Sequence, residues 1–312
     1  MQNKPLVSII TPFFNAQMFF TEAIESVIAQ TYEHWELFLI DDGSIDESTN
    51  IAQKYADQYP EKIHYLEHPK HQNRGKSTSR NLGIYHAKGK YIALLDADDI
   101  FLPQKLEKQV AILESQPETA MVYGPTLYWY GWTGKPEDIR RDFLARLGVE
   151  PNTLFSPPNL FTLFLQDSGI IPCTCGLLAR LNNVKNTGGF DETIQHMYED
   201  QVFLAKIALE SPVFVEGECA DKYRQHRDSS SYVAMRTGEY HPYKLNPSRQ
   251  IFLNWLAKYI TDREIKNPEL EQALQKALWP YHHPNLYNFL SQVKYFLNKL
   301  NRKSQYEIQQ SL

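Results

Sequence analysis

Along the first half of the chain, short apolar runs alternate with amphipathic stretches. Residues 6–11 (LVSIIT) are β-branched and apolar, which predicts a buried strand. Ala23, Ile24, Val27 and Ile28 then fall on one helical face. Residues 35–40 predict a second strand, closing on the turn Asp41-Asp42-Gly43-Ser44, with a helix opening near Asp46. A short strand is expected at 63–66, a helix at 76–87 and a strand at 91–95. Pro103 should open a further helix, since proline suits the first helical position, and 120–123 reads as a strand. Alternation of this kind predicts an α/β fold, with a mostly parallel, Rossmann-like central sheet flanked by helices.

From 124 to about 158 the pattern breaks up. Tyr128, Trp129, Tyr130 and Trp132 cluster among glycines and prolines. They suit a substrate-facing loop, and equally a set of aromatics sealing a second subdomain. Order returns with strands expected at 174–180, 213–217 and 220–226, and with a helix at 201–209 that Glu199-Asp200 opens. After 237 the pattern is helical. Leu286, Phe289, Leu290, Val293, Phe296, Leu297 and Leu300 form one apolar stripe, and Lys294, Lys299, Arg302 and Lys303 make its end basic. Such a tail fits packing on its own core, a homo-oligomer contact, or a peripheral contact with an anionic membrane.

Charge narrows the classes of partner. The chain has 312 residues and a net charge of −5, without the basic excess that nucleic-acid binding usually requires. Its three cysteines, Cys173, Cys175 and Cys219, lack disulfide or zinc spacing and read as buried thiols. No signal peptide is expected in the short polar start, and no apolar run approaches a membrane span of about 18 residues. The expected location is therefore cytoplasmic, or peripheral at the inner face of a membrane.

The sharpest chemical signal is Asp96-Ala97-Asp98-Asp99, at the end of the 91–95 strand. Capping the next helix needs one carboxylate, not three. At the carboxyl end of a strand in an α/β sheet, where ligands bind, the cluster points to Mg²⁺ or Mn²⁺ holding a polyphosphate. If the sheet is parallel, the ends after Thr11, after Asp41-Asp42 and at the aspartate cluster share one crevice. Asp42 can accept from a ring N–H such as uracil N3–H, though Asp-Gly-Ser also suits a plain turn. The basic segment 73–81 lacks phosphate-loop spacing, but a helix opening near Lys76 presents its N-terminus and Arg80 to a diphosphate. Gln225-His226-Arg227 adds donors for a leaving diphosphate. Glu199-Asp200 reads either as a helix-start pair or as a general base beside an acceptor hydroxyl.

Taken together, these segments resemble the family 2 glycosyltransferases, inverting enzymes of the GT-A fold. The resemblance rests on Val7-Ser8-Ile9-Ile10-Thr11-Pro12-x-Phe14-Asn15, Asp41-Asp42-Gly43-Ser44-x-Asp46 and Asn73-x-Gly75-x-Ser77-x-Ser79-Arg80-Asn81-x-Gly83. It continues through the aspartate cluster, Gly188-Gly189-Phe190-Asp191-Glu192, Glu199-Asp200 and His226-x-x-Ser229, in the family's order. Residues 125–170 and 238–312 match no family-wide pattern.

The resemblance implies a nucleotide-sugar donor, UDP-linked by default, held by Thr11, Pro12, Phe14, Asn15, Asp42, Asn73, Gly75, Arg80, Asp96, Ala97 and His226. Asp98, with Asp96 or Asp99, would bind the Mn²⁺ or Mg²⁺, Asp200 would be the catalytic base, and Glu199 would help position the acceptor. It further implies a nucleotide-sugar-binding half at 1–124, an acceptor-binding and catalytic half at 125–236, and a helical extension at 237–312. The acceptor would be a saccharide or a lipid-linked molecule in surface polysaccharide or glycolipid synthesis. Phe14 stands where the family usually has tyrosine. The Gln-x-x-Arg-Trp signature and membrane helices of processive members are missing, which favours single transfers. A sugar-phosphate nucleotidyltransferase should carry a glycine-rich N-terminal loop, and 8–15 has no glycine. A catalytically inactive sugar-nucleotide-binding scaffold should have lost Asp98 or Asp200, and both remain.

Overall fold

The first apolar run becomes β1 (Val7–Phe13), buried at every residue, and α1 (Phe20–Ile28) follows with Phe20, Ala23, Ile24 and Val27 on its buried face. This computed structural model describes residues 4–194, 197–241 and 245–289. The expected alternation continues through β2 (Trp35–Asp41), α2 (Ser48–Gln58), β3 (Ile63–Glu67), α3 (Lys76–His86) and β4 (Tyr91–Leu94). Strands β3, β2, β1 and β4 lie side by side in that order, all parallel. Their side chains alternate between two cores. Val7, Ile9, Leu37 and Leu39 pack on one face with α1, while Ile10, Phe38, Ile40 and Leu94 pack on the other. That period of two marks strands covered on both sides. Helix α3 lies tight on the second face, because a Cβ on Gly83 would stand 2.7 Å from Ile10 Cγ2.

Beyond β4 come β5 (Ile100–Phe101), α4 (Lys105–Ser115) and β6 (Met121–Tyr123). Pro103 sits in the turn ahead of α4, so this helix opens two residues later than expected. The less regular stretch that follows holds β7 (Leu127–Trp129), α5 (Pro136–Ile139), β8 (Phe143–Leu144), β9 (Thr153–Phe155) and α6 (Asn159–Leu165). Next are β10 (Leu177–Arg180), α7 (Leu181–Asn186), α8 (Glu199–Ala208), β11 (Val213–Val215) and β12 (Asp221–Arg224).

The main sheet has the order β3-β2-β1-β4-β10-β6-β11-β9. Strand β10 enters between β4 and β6 and runs antiparallel to both. The expectation of a large α/β sheet flanked by helices is met, with its parallel part concentrated in the first four strands. A second sheet, β5-β12-β7-β8, occupies much of the stretch read as irregular. Its strands are too short for hydrophobic periodicity to register.

The chain continues with α9 (Ser230–Thr237), α10 (Pro247–Asp262) and α11 (Pro268–His282), and the last described residues, 284–289, are again helical. Asn246 and Asn267 cap the last two, each side chain accepting a backbone N–H at 2.8 Å, with proline at the first helical position. Phe252, Leu253 and Leu256 of α10 and Leu270 and Leu274 of α11 join the core that holds Val202 and Phe203 of α8. Leu286 and Phe289 are exposed. The rest of the apolar stripe, and the basic residues Lys294, Lys299, Arg302 and Lys303, lie outside the described residues. Among the described residues no helix is long and apolar enough to cross a membrane. All three thiols are free, with Cys175 buried and Cys173 and Cys219 half-buried.

Candidate active site

Because β2, β1 and β4 are adjacent and parallel, their carboxyl ends open into one cleft of about 890 Å³. Asp42, at the end of β2, accepts the backbone N–H of Arg74 at 2.7 Å and of Gly75 at 3.0 Å. Its neighbour Asp41 holds the turn instead, accepting from Ser44 N at 2.8 Å and Thr49 Oγ1 at 2.5 Å. After β1, Asn15 takes a positive φ of 50° and its side chain accepts from Ile45 N at 2.8 Å, clamping the two loops together. Pro12, Phe14, Asn15 and Asp42 line the cleft. Thr11 is buried beneath it, and Asn73 and Gly75 stand outside the lining, with Gly75 acting through Asp42.

The aspartate cluster lines the floor, and its carboxylates turn to different partners. Asp96 accepts from Arg80 Nη2 at 2.7 Å and Thr174 Oγ1 at 3.2 Å. Burial alone would raise its pKa, but the charges of Arg80 and Lys76 overcome this and hold it below the usual carboxylate range. Asp98 takes His226 Nε2 at 2.9 Å on one oxygen, and its side chain is 28% exposed. Asp99 is buried, accepts Arg224 N at 2.9 Å, and is pushed well above the usual range by burial and by the charges of Asp98 and Asp96. The three carboxylates thus turn to separate partners, and Asp99 is taken up by Arg224. Among the described residues no three His, Cys, Asp or Glu side chains form an ion cage. Two partly exposed carboxylates, Asp96 and Asp98, still fit a hard divalent ion that takes its remaining oxygens from water and phosphate.

A second wall is the start of α8. Arg80, fully buried, reaches it from α3: Nη1 stands 3.6 Å from Glu199 Oε1 while Nη2 holds Asp96. Its guanidinium lies over the Phe190 ring at 4.9 Å. Asp200 lines the cleft and accepts one backbone N–H, from Gln201 at 2.8 Å. Burial and the adjacent Glu199 charge push its pKa up to about 6. Tyr198, just before the pair, adopts φ 71° and ψ 7°. A bulky residue in this left-handed region carries a strain of about 1–2 kcal/mol.

Comparison with known proteins fits this geometry. Residues 8–183, more than half of the chain, match the model of glycosyl transferase family 2. The chain belongs to that family. GgaB of Bacillus subtilis, a minor teichoic acid biosynthesis protein, is 30% identical over 264 residues, which is 84% of this chain but 27% of GgaB. S. aureus TarS 1-349, solved with UDP-GlcNAc, superimposes with a TM-score of 0.66 at 18% identity, covering 87% of this chain and 71% of TarS. The mannosyltransferase PcManGT of Pyrobaculum calidifontis, solved with GDP-Man and Mn²⁺, gives 0.58 at 17% identity, covering 90% and 71%. The fold of this glycosyltransferase is GT-A.

Within the glycosyltransferase, two residues stand out that sequence reasoning missed. Arg224 of β12 donates from Nε to Asp98 O at 2.7 Å and from Nη2 to Glu22 at 2.5 Å. Its guanidinium sits among the rings of Phe19, Trp129 and Trp132, at 4.6, 4.4 and 5.6 Å. A buried cation in an aromatic cage thus ties the aspartate loop to the second sheet. Tyr198 is the other, and neither side chain carries a local sequence signal. The aromatic cluster at 128–132 mainly seals this sheet. Tyr128 stacks on Phe143, Trp129 receives Arg224, and Trp132 Nε1 donates to Gln225 O at 2.9 Å. Tyr128 alone of the four also lines the cleft.

Proposed function

We propose that this enzyme moves a sugar from a nucleoside-diphosphate donor to an acceptor hydroxyl in a single inverting displacement. One observation carries the reading: the strand-end carboxylates Asp96 and Asp98 and the raised carboxylate Asp200 line the same cleft. The base lies against Asp42, Pro12 and Phe14, with Thr11, Asn73 and Gly75 shaping that wall and Asn15 and Ala97 beside the donor. UDP is the default, in line with the UDP-GlcNAc bound by TarS. Asp98, with Asp96 beside it, would hold Mg²⁺ or Mn²⁺, which when bound offsets the charge of the diphosphate. The Mn²⁺ of PcManGT supports that assignment.

Asp200 accepts the proton of the acceptor hydroxyl as its oxygen attacks the anomeric carbon. The bond to the diphosphate breaks on the opposite face, so configuration inverts without an enzyme-bound intermediate. Arg80 and His226 lie beside the floor carboxylates and balance the leaving group's charge. Residues 1–124 serve the donor and 125–236 the acceptor, a saccharide or lipid-linked hydroxyl in surface polysaccharide synthesis, as GgaB's role in teichoic acid supports. The reaction belongs at the cytoplasmic side, where such donors are made.

Calorimetric titration with UDP, GDP and dTDP tests this, each with Mn²⁺ or chelator, on wild type and Asp98→Ala. Mn²⁺-dependent binding of UDP, lost in the variant, is expected. A folded protein that binds none of the three would overturn the reading.

A further inference from the structure

We propose that Tyr198 is a positioning residue that aims Asp200, and that helix α10 acts in catalysis by holding it. The proposal rests on Asp200 being the base. Tyr198 is the residue from which α8 starts, since Val202 N donates to its carbonyl at 3.0 Å. Its φ of 71° is one that glycine takes freely and tyrosine avoids, so its side chain must be held from elsewhere. The holder is α10. The Tyr198 ring lies parallel to Phe252, with centroids 5.4 Å apart and planes 15° apart, and meets Tyr240 edge-on at 6.0 Å. Its hydroxyl hydrogen-bonds Asn246, the residue that caps α10.

The turn made at Tyr198 directs both Glu199 and Asp200 into the cleft. There Asp200 faces Glu199 on its own helix and Arg80 and Lys76 on α3, and takes the N–H of Gln201. Helix α10 lies outside the 8–183 span that matches the family. A segment with no family motif thereby sets the geometry of the carboxylate that receives the proton. Asp200 needs no direct contact with α10 for this, because the ring of Tyr198 transmits the constraint.

The test is a pair of variants, Tyr198→Gly and Phe252→Ala, with Tyr198→Phe as the conservative control. Glycine accepts the backbone conformation but loses the ring, and Phe252→Ala removes the platform under it. In both, kcat should fall about 10- to 100-fold with the donor KM unchanged. The acid limb of kcat/KM should move from about 6 toward the ordinary carboxylate value near 4, as Asp200 turns to water. At pH 5 each variant should then keep a larger share of its own maximum than wild type does. Tyr198→Phe keeps ring and turn, and should retain the wild-type limb. If Tyr198→Gly does not fold, Phe252→Leu replaces it. Folded variants whose limb stays near 6, even with a lower melting temperature, would overturn the proposal. Asp200→Asn, measured alongside, separates the two ideas: activity surviving there removes the base assignment, whereas an inactive Asp200→Asn with unmoved limbs removes only the role of Tyr198.

Discussion

The two walls of the cleft hold their carboxylates by opposite means. On the strand-end wall Asp42 takes two backbone N–H groups, Asp96 a guanidinium and a hydroxyl, and Asp98 a histidine. On the α8 wall Asp200 takes a single N–H from its own neighbour and stands beside another carboxylate. The first arrangement fixes the direction of these carboxylates, and at Asp96 the guanidinium also stabilises the charge. The second buries Asp200 beside the Glu199 charge with few donors to offset either, and its pKa rises to about 6. A carboxylate meant to bind is surrounded by donors, while one meant to accept a proton near neutral pH is left short of them.

The most severe break of this contrast is Asp200→Asn. It should lower kcat about 10²- to 10⁴-fold while calorimetric binding of UDP with Mn²⁺ stays unchanged. Loss of both together would mean that the two walls do not divide the work. A smaller effect is expected from Arg224→Lys, which keeps the charge but loses the fork that holds Asp98 O and Glu22. Mn²⁺-dependent UDP affinity should drop about 10- to 100-fold, and an unchanged affinity would show that the aspartate loop holds itself. The mildest probe is pH. Asp200 must be ionised to accept a proton, so kcat/KM should be flat above about 6 and fall about tenfold per unit below it. A limb nearer 4 would place Asp200 among ordinary solvated carboxylates.

The strand-end wall was largely legible in the sequence, and the α8 wall only in part. Strands β1, β2 and β4 are buried on both faces, so their near-continuous apolar runs announce them, and a carboxylate at the end of such a run is conspicuous. What could not be read was where each carboxylate would turn. The cage around Arg224 depends on β12 meeting a loop far away in sequence, and the aromatic residues that build it look the same whether they face a substrate or a cation. Glu199-Asp200 was visible as an acidic pair at a helix start. Tyr198 was not, because only glycine or asparagine announces a left-handed turn. Whether Asp96 or Asp99 stands beside Asp98 was hidden for a related reason: adjacent residues in a loop point in different directions, and spacing alone does not say which.

Strand β10 carries a consequence for how the chain is made. It belongs between β4 and β6, yet both of those leave the ribosome before it. A chain that has emerged as far as Tyr123 therefore has two strands waiting with open edges, and everything from β7 to α6 must follow before the gap is filled. At ordinary elongation rates that interval is roughly 3–10 s, long enough for an unpaired edge to recruit a neighbouring nascent chain. A gene cut after Gly124 would make that interval permanent, so the piece ending there should aggregate rather than fold as an independent nucleotide-binding unit.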